Sequence, residues 1–334
     1  MGIHGLTTLI SSMNGVTSAT SLYQIVSDWK RSNPEKTTSE KPFIAIDAHN
    51  IVSLVYENLD RVCGGQWVEF VEKLKQFTSK LYSLKVEIRF VSSLTVPAEK
   101  RSIWMARHAD TMAVSRDFFE HLKRGKVSGQ AGESFENGFV PYSLRNLTSE
   151  ILRTECASEY LRTEDCLIDV EERLVGMCAG NPACIALLSS NSQYLSHSGI
   201  PFYWLQPSRA EQNGADFVNR LEVTKVDMTL VCHRLSVSQS LFSLACALKR
   251  NDLISYHNFK RFVSRISATG WDPLSALEQF RVTLDWLGAT VGSRFPEKLT
   301  KWDLEIVQRR VFAMIGGSAP EKGAIFLADF SCYL

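Results

Sequence analysis

No stretch of this 334-residue chain approaches the ~18 consecutive apolar residues of a membrane span. Nor does the N-terminus carry a basic segment followed by an apolar core, so no secretory signal is expected. Gly2 invites comparison with a myristoylation motif, but that motif wants Ser or Thr where Leu6 stands. Charge of one sign is missing too: 37 Lys+Arg face 36 Asp+Glu, for a net charge of +1. Dedicated nucleic-acid binders are more basic, so any nucleic-acid contact must rest on a local patch. The eight cysteines (Cys63, Cys156, Cys166, Cys178, Cys184, Cys232, Cys246 and Cys332) form no CxxC pair and no zinc spacing. Several lie in apolar runs such as Cys184-Ile185-Ala186-Leu187-Leu188, which predicts buried, reduced thiols in an intracellular protein, nuclear or cytoplasmic. In that setting the sequon Asn146-Leu147-Thr148 is a chance match. No repeat of fixed period is visible. A hydrophobic content of 45% argues against disorder and for a sizeable core.

Short runs rich in β-branched and aromatic residues predict strands at Phe43–Asp47, Val86–Val91, Cys184–Ser189 and Pro201–Leu205. Trp67, Phe70, Val71, Leu74, Phe77 and Leu81 recur at helical spacing between the first two. Leu167, Val170, Leu174 and Met177 repeat that spacing before the third, predicting a helix over Leu167–Met177. Strand–helix–strand alternation implies a parallel sheet with crossover helices. Arg31–Lys41 and the glycine- and serine-bearing Arg124–Gly138 read as loops. Beyond Val237 the pattern is mostly helical, over Ser238–Leu248, Phe259–Ile266 and Leu274–Leu287, with a break at Gly316–Gly323.

Asp47 stands out because it ends the apolar run Phe43-Ile44-Ala45-Ile46. The carboxyl end of a buried parallel strand is where open α/β sheets hold their ligands. A carboxylate buried there without partners is costly, which favours a site role over accident.

Four segments taken in order carry a resemblance: Met1-Gly2-Ile3-His4-Gly5-Leu6, Ile44-Ala45-Ile46-Asp47, Leu187-Leu188-Ser189-Ser190-Asn191-Ser192-Gln193-Tyr194 and Leu248-Lys249-Arg250-Asn251-Asp252. The chain resembles the flap-endonuclease superfamily of PIN-like nucleases, and within it the asteroid family, from Met1 to about Asp252. The resemblance implies an α/β fold with a PIN-like, twisted, mainly parallel central sheet flanked by helices. It further implies a PIN-like domain over residues 1–235 and a helical C-terminal region over 236–334.

Such nucleases hydrolyse phosphodiesters with paired Mg²⁺ or Mn²⁺ ions held by a cluster of about seven acids. By the resemblance, Asp47, Asp169, Glu171 and Asp252 keep their carboxylates. Ser93, Asn191 and Gln193 stand where three others belong. One ion would rely on positions 47, 93, 169 and 171, the other on 171, 191, 193 and 252. Asn and Gln keep the shape and lose the charge. Each lost charge removes several kcal/mol of attraction for a divalent ion, on the order of 332/(ε·r) per unit pair and doubled for the ion. Metal binding by Asp47, Asp169, Glu171 and Asp252 is therefore expected to be weak or absent, and no cofactor is expected. Mg or Mn belongs to the rival reading, an active structure-specific nuclease.

Structural accounts compete at several positions. Asp169, Glu171 and Glu172 open a helix, where carboxylates satisfy free amides and favour the dipole. Asp252 follows Lys249-Arg250 and reads equally as a surface acid. The resemblance gives Gly2, Lys100, Arg101 and Arg107 nucleic-acid contacts. Lys100 and Arg107 are seven residues apart, about two helical turns, and so share one face with Trp104 between them. A solvated helix face explains them as well. From Leu253 to Leu287 the only glycine is Gly270, so the glycine-rich duplex-gripping element of flap endonucleases is missing. The function expected is a degenerate, catalytically impaired asteroid-type protein. It would contact nucleic acid through a local basic patch, or protein partners, and no membrane. A protein-only scaffold is the third reading.

Overall fold

The computed structural model describes residues 3, 5–33, 41–56, 66–93, 95–96, 98, 101–123, 142–205, 220–249, 256–270, 274–296 and 299–315. Seven strands, β1 (Thr17–Ser21), β2 (Phe43–Asp47), β3 (Glu87–Ser93), β4 (Leu161–Cys166), β5 (Cys184–Ser189), β6 (Phe202–Trp204) and β7 (Glu222–Val226), form one sheet in the order β1-β7-β6-β5-β2-β3-β4. The four predicted strands are all present. The expected α/β architecture, a mainly parallel central sheet flanked by helices with a helical C-terminal region, is the one the chain adopts. The loop expected over Arg31–Lys41 is helical as far as Ser32, and its residues 34–40 lie outside the described residues, as do Arg124–Gly138 and Gly316–Gly323.

The chain divides into two compact units, Thr20–Leu188 with Leu205–Val223, and Met1–Ala19 with Ser189–Trp204 and Thr224–Leu334. In the first, β2 runs parallel to β3 with Asp47 opposite Val91, and parallel to β5 on its other side. β3 runs parallel to β4, bringing Ser93 opposite Cys166. Every residue of β2 and β5 is buried. A strand covered on both faces reads as a continuous apolar run rather than an alternation. Burying Phe43, Ile44 and Ile46 contributes about 2 kcal/mol each.

Helices α1 (Leu6–Ser11), α2 (Leu22–Ser32), α3 (Ala48–Tyr56), α4 (Trp67–Tyr82), α5 (Arg101–Lys123), α6 (Tyr142–Thr154) and α7 (Val170–Cys178) follow in chain order. On α4 the predicted stripe buries Phe70, Leu74, Phe77 and Leu81, while Trp67 at its start is exposed. The helix predicted over Leu167–Met177 begins later, at Val170. Asp169 takes extended geometry (φ −60°, ψ 135°) as its N-cap, so Leu167 and Ile168 belong to the preceding turn.

The second unit holds a 3₁₀ turn (Ser192–Ser196) and α8 (Met228–Leu235), α9 (Gln239–Leu248), α10 (Tyr256–Ile266), α11 (Ala276–Val291) and α12 (Lys301–Ile315). α9 is apolar on nearly every side and packs against both α11 and the 3₁₀ turn. Phe242 of α9 meets Phe280 of α11 with ring centroids 5.5 Å apart. α11 starts with a reciprocal capping box between Ser275 and Glu278 and stops at Gly292, whose φ of 82° suits a residue without Cβ.

Candidate functional site

Parallel pairing puts the carboxyl ends of β2, β3 and β4 on the same edge of the first unit, and the chain places a polar side chain at each. Asp47 closes β2, only 7% exposed, and its Oδ1 accepts the backbone N–H of His49 at 3.1 Å. Ser93 closes β3. Its Oγ accepts the Thr95 N–H at 3.2 Å and faces two carbonyl oxygens, of Thr95 at 2.6 Å and Ile168 at 3.0 Å. Asp169 follows β4 and caps α7, its Oδ1 accepting the Glu171 N–H at 2.8 Å. Glu171 and Glu172 fill the first turn of that helix.

The capping account of Asp169 is thus realised, and the same local device recurs in the second unit. There Asn191 is buried and caps the 3₁₀ turn, with Oδ1 accepting the Gln193 N–H at 3.0 Å. Ser189 Oγ in turn accepts the Asn191 N–H at 3.0 Å. At positions 47, 93, 169 and 191 one side-chain oxygen accepts the amide two residues ahead. Such bonds satisfy donors that a strand-to-helix transition strands without partners.

Two further groups belong to the first unit's edge, and sequence reasoning missed them. Ser92 Oγ donates to Asp165 Oδ1 at 2.5 Å and lies 2.6 Å from Ser149 Oγ. Arg153 Nη2 donates to Asp165 Oδ2. Burial pushes the Asp165 carboxyl up, but the hydrogen bonds from Ser92, Arg153 and Ser149 outweigh it and hold it below the usual carboxylate range. Arg173 makes a two-pronged pair with Glu164, through Nε to Oε1 and through Nη2 to Oε2 at 3.0 Å. Both acids next to the edge are therefore engaged by arginines.

Among the described residues, no three His, Cys, Asp or Glu side chains come together as a set able to hold a metal ion. A two-ion centre needs shared carboxylates around both cations. Asp252, Gly2 and Lys100 lie outside the described residues, as does the Arg107 side chain. Arg101 is the exposed first residue of α5. On that helix the Trp104 and His108 rings stack with centroids 5.0 Å apart and planes 5° from parallel.

At the end of α9, three residues before Asp252, Lys249 is only 1% exposed, with Nζ 5.1 Å from the centroid of the Phe280 ring. Desolvation lowers its ammonium pKa to about 8. None of the described helices is long and apolar enough to cross a membrane.

No family model matches the chain. Over 269 residues it is 23% identical to the constitutive coactivator of peroxisome proliferator-activated receptor gamma from Bos taurus, covering 78% of this chain and 35% of that protein. The Homo sapiens protein of the same name is 23% identical over 221 residues, covering 66% and 22%. The Mus musculus protein is 21% identical over 263 residues, covering 78% and 31%. The solved structure of human GEN1 in complex with Holliday junction DNA superposes with a TM-score of 0.49 at 12% identity, covering 98% of this chain and 66% of that one. The catalytic core of Rad2 in complex with DNA substrate gives 0.44 at 12% identity, covering 100% and 85%. The chain thus spans about a third of the length of the Bos taurus coactivator and less of the other two.

Proposed function

We propose that this chain is a degenerate, asteroid-type relative of the flap endonucleases that serves as an interaction module and does not turn over phosphodiesters. In this reading residues 1–235 are the PIN-like part and residues 236–334 a helical addition. The observation that carries it is the use made of the substituted positions. Ser93 and Asn191 stand where the resemblance calls for carboxylates, and their side-chain oxygens are bonded to local backbone. A neutral oxygen so engaged offers a divalent ion little. Asp47, Asp169 and Glu171 then persist as remnant acids, with Asp252 the fourth by resemblance.

Two kinds of partner suit the module. The name of the mammalian relatives, a receptor coactivator, supports protein contacts. The exposed Arg101 and the Trp104–His108 ring stack support contact with single-stranded nucleic acid, whose bases stack on aromatic rings. The test is cleavage of flap, overhang and single-stranded substrates with Mg²⁺ or Mn²⁺, alongside an Asp47→Ala control. No cleavage above that control is expected. Cleavage by the wild type that Asp47→Ala abolishes would overturn the reading in favour of an active nuclease.

A further inference from the structure

Leu167 and Ile168 link β4 to the Asp169 cap and are 76% and 43% exposed. Apolar burial therefore does little to fix this turn. Its backbone is held from the β3 side instead. Thr95 Oγ1 donates to the Leu167 carbonyl at 2.7 Å. The Ile168 carbonyl receives Ser93 Oγ at 3.0 Å and Cys166 Sγ at 3.2 Å. The same two donors also reach the ends of β3, Cys166 Sγ lying 3.1 Å from the Ser92 carbonyl and Ser93 Oγ 2.6 Å from the Thr95 carbonyl. One peptide unit further along, Asp169 turns its Oδ1 onto the Glu171 amide.

We propose that Ser93 and Cys166 are positioning residues that clamp the Leu167–Ile168 turn and thereby set where the Asp169 carboxylate points. The inference rests on the reading above and deepens it, because it gives the substituted position 93 a task. A serine hydroxyl or a thiol has a proton to give, whereas an ionised carboxylate only accepts. With aspartate at 93, acceptor would face acceptor at the Thr95 and Ile168 carbonyls, and the turn would have to move. Threonine keeps the donor.

The experiment is NMR on the full chain, comparing wild type with Ser93→Ala, Ser93→Thr and Ser93→Asp. Two quantities are read: amide exchange at Glu171, and the chemical shift of the Asp169 carboxyl carbon at pH 7. The Ile46 amide in the β2 core serves as reference for global opening. Ser93→Ala is expected to speed exchange at Glu171 roughly five- to tenfold, the worth of one ordinary hydrogen bond. It is also expected to move the Asp169 carboxyl shift, with Ile46 unchanged. Ser93→Thr restores both, and Ser93→Asp loses both. Swapping Mg²⁺ for EDTA changes nothing in the wild type. Exchange at Glu171 in Ser93→Ala equal to wild type overturns the clamp, and so does slower wild-type exchange on adding Mg²⁺. If Ser93→Ala speeds Ile46 equally, Cys166→Ala takes its place under the same criteria. Loss of the clamp would leave the cleavage result standing, and cleavage by the wild type would leave the exchange result standing.

Discussion

Replacing Lys249 by methionine alters how the stability of this protein responds to pH. The ammonium group is buried above the Phe280 ring, and burial lowers its pKa from the ordinary 10.5 to about 8. The gap between those values corresponds to about 3 kcal/mol of folding free energy. For the sign, the unfolded chain binds the proton more tightly than the folded one. The charged lysine therefore destabilises the native state in full below pH 8, and the deficit fades as pH rises towards 10.5. Integrating the two titrations, it shrinks by about 1 kcal/mol between pH 7 and pH 9. Thiols oppose this trend. Burial pushes Cys246 up, and pushes Cys232 up to about 11, so they keep protons that the unfolded chain releases above about pH 9. Both proteins share those thiols, so the difference between them reports the lysine together with its charge coupling to Cys246. The assay is urea unfolding followed by tryptophan fluorescence at pH 7, 8 and 9. Wild-type stability should gain about 1 kcal/mol on Lys249→Met over that range. A difference that stays flat with pH would show that the amine is solvated, and the reasoning would fail.

Asp169→Ala should cost about 1 kcal/mol in urea unfolding by removing the α7 cap, while Asp169→Asn keeps the accepting oxygen and costs less. Asp165 contributes stability that is present above its ordinary pKa of 3.8 and is lost as pH falls through the lower folded value. Acid unfolding of Asp165→Asn should lack that component. Phe280 is fully buried against Phe242, so Phe280→Ala should destabilise the protein by about 3–5 kcal/mol, measured the same way. Binding of a single-stranded oligonucleotide, followed by anisotropy, should weaken with salt and with Arg101→Ala. Salt-independent binding would remove phosphate contact from the account.

The central strands were legible because nothing competed with their signal. Phe43–Asp47 and Cys184–Ser189 are covered on both faces, and burial on both faces writes an unbroken apolar run into the sequence. At the sheet margins, Thr17–Ser21 (TSATS) and Leu161–Cys166 (LRTEDC) were missed, since their half-exposed residues are polar and carry no alternation. The helix starting at Val170 was read three residues early. Leu167 falls in phase with Val170, Leu174 and Met177, but an N-cap must leave helical geometry and Asp169 is that cap. The place of Asp47 at the end of β2 could be read because a carboxylate closing an apolar run is conspicuous. Asp165 could not: its partners Ser92 and Arg153 are 73 and 12 residues away, and only the β3–β4 pairing and the packing of α6 on β4 bring them together.

The backbone-accepting oxygens at the strand ends leave this scaffold unevenly tolerant of acidic substitution. At 191 an aspartate accepts the same amide that asparagine accepts now, so exchange between the two is nearly silent for the architecture and reversible in either direction. At 93 the tolerance differs. An ionised acid has no proton to offer the Thr95 and Ile168 carbonyls, so Ser93→Asp removes a contact that the serine makes. An acid is thus easily accommodated at the first position and disruptive at the second.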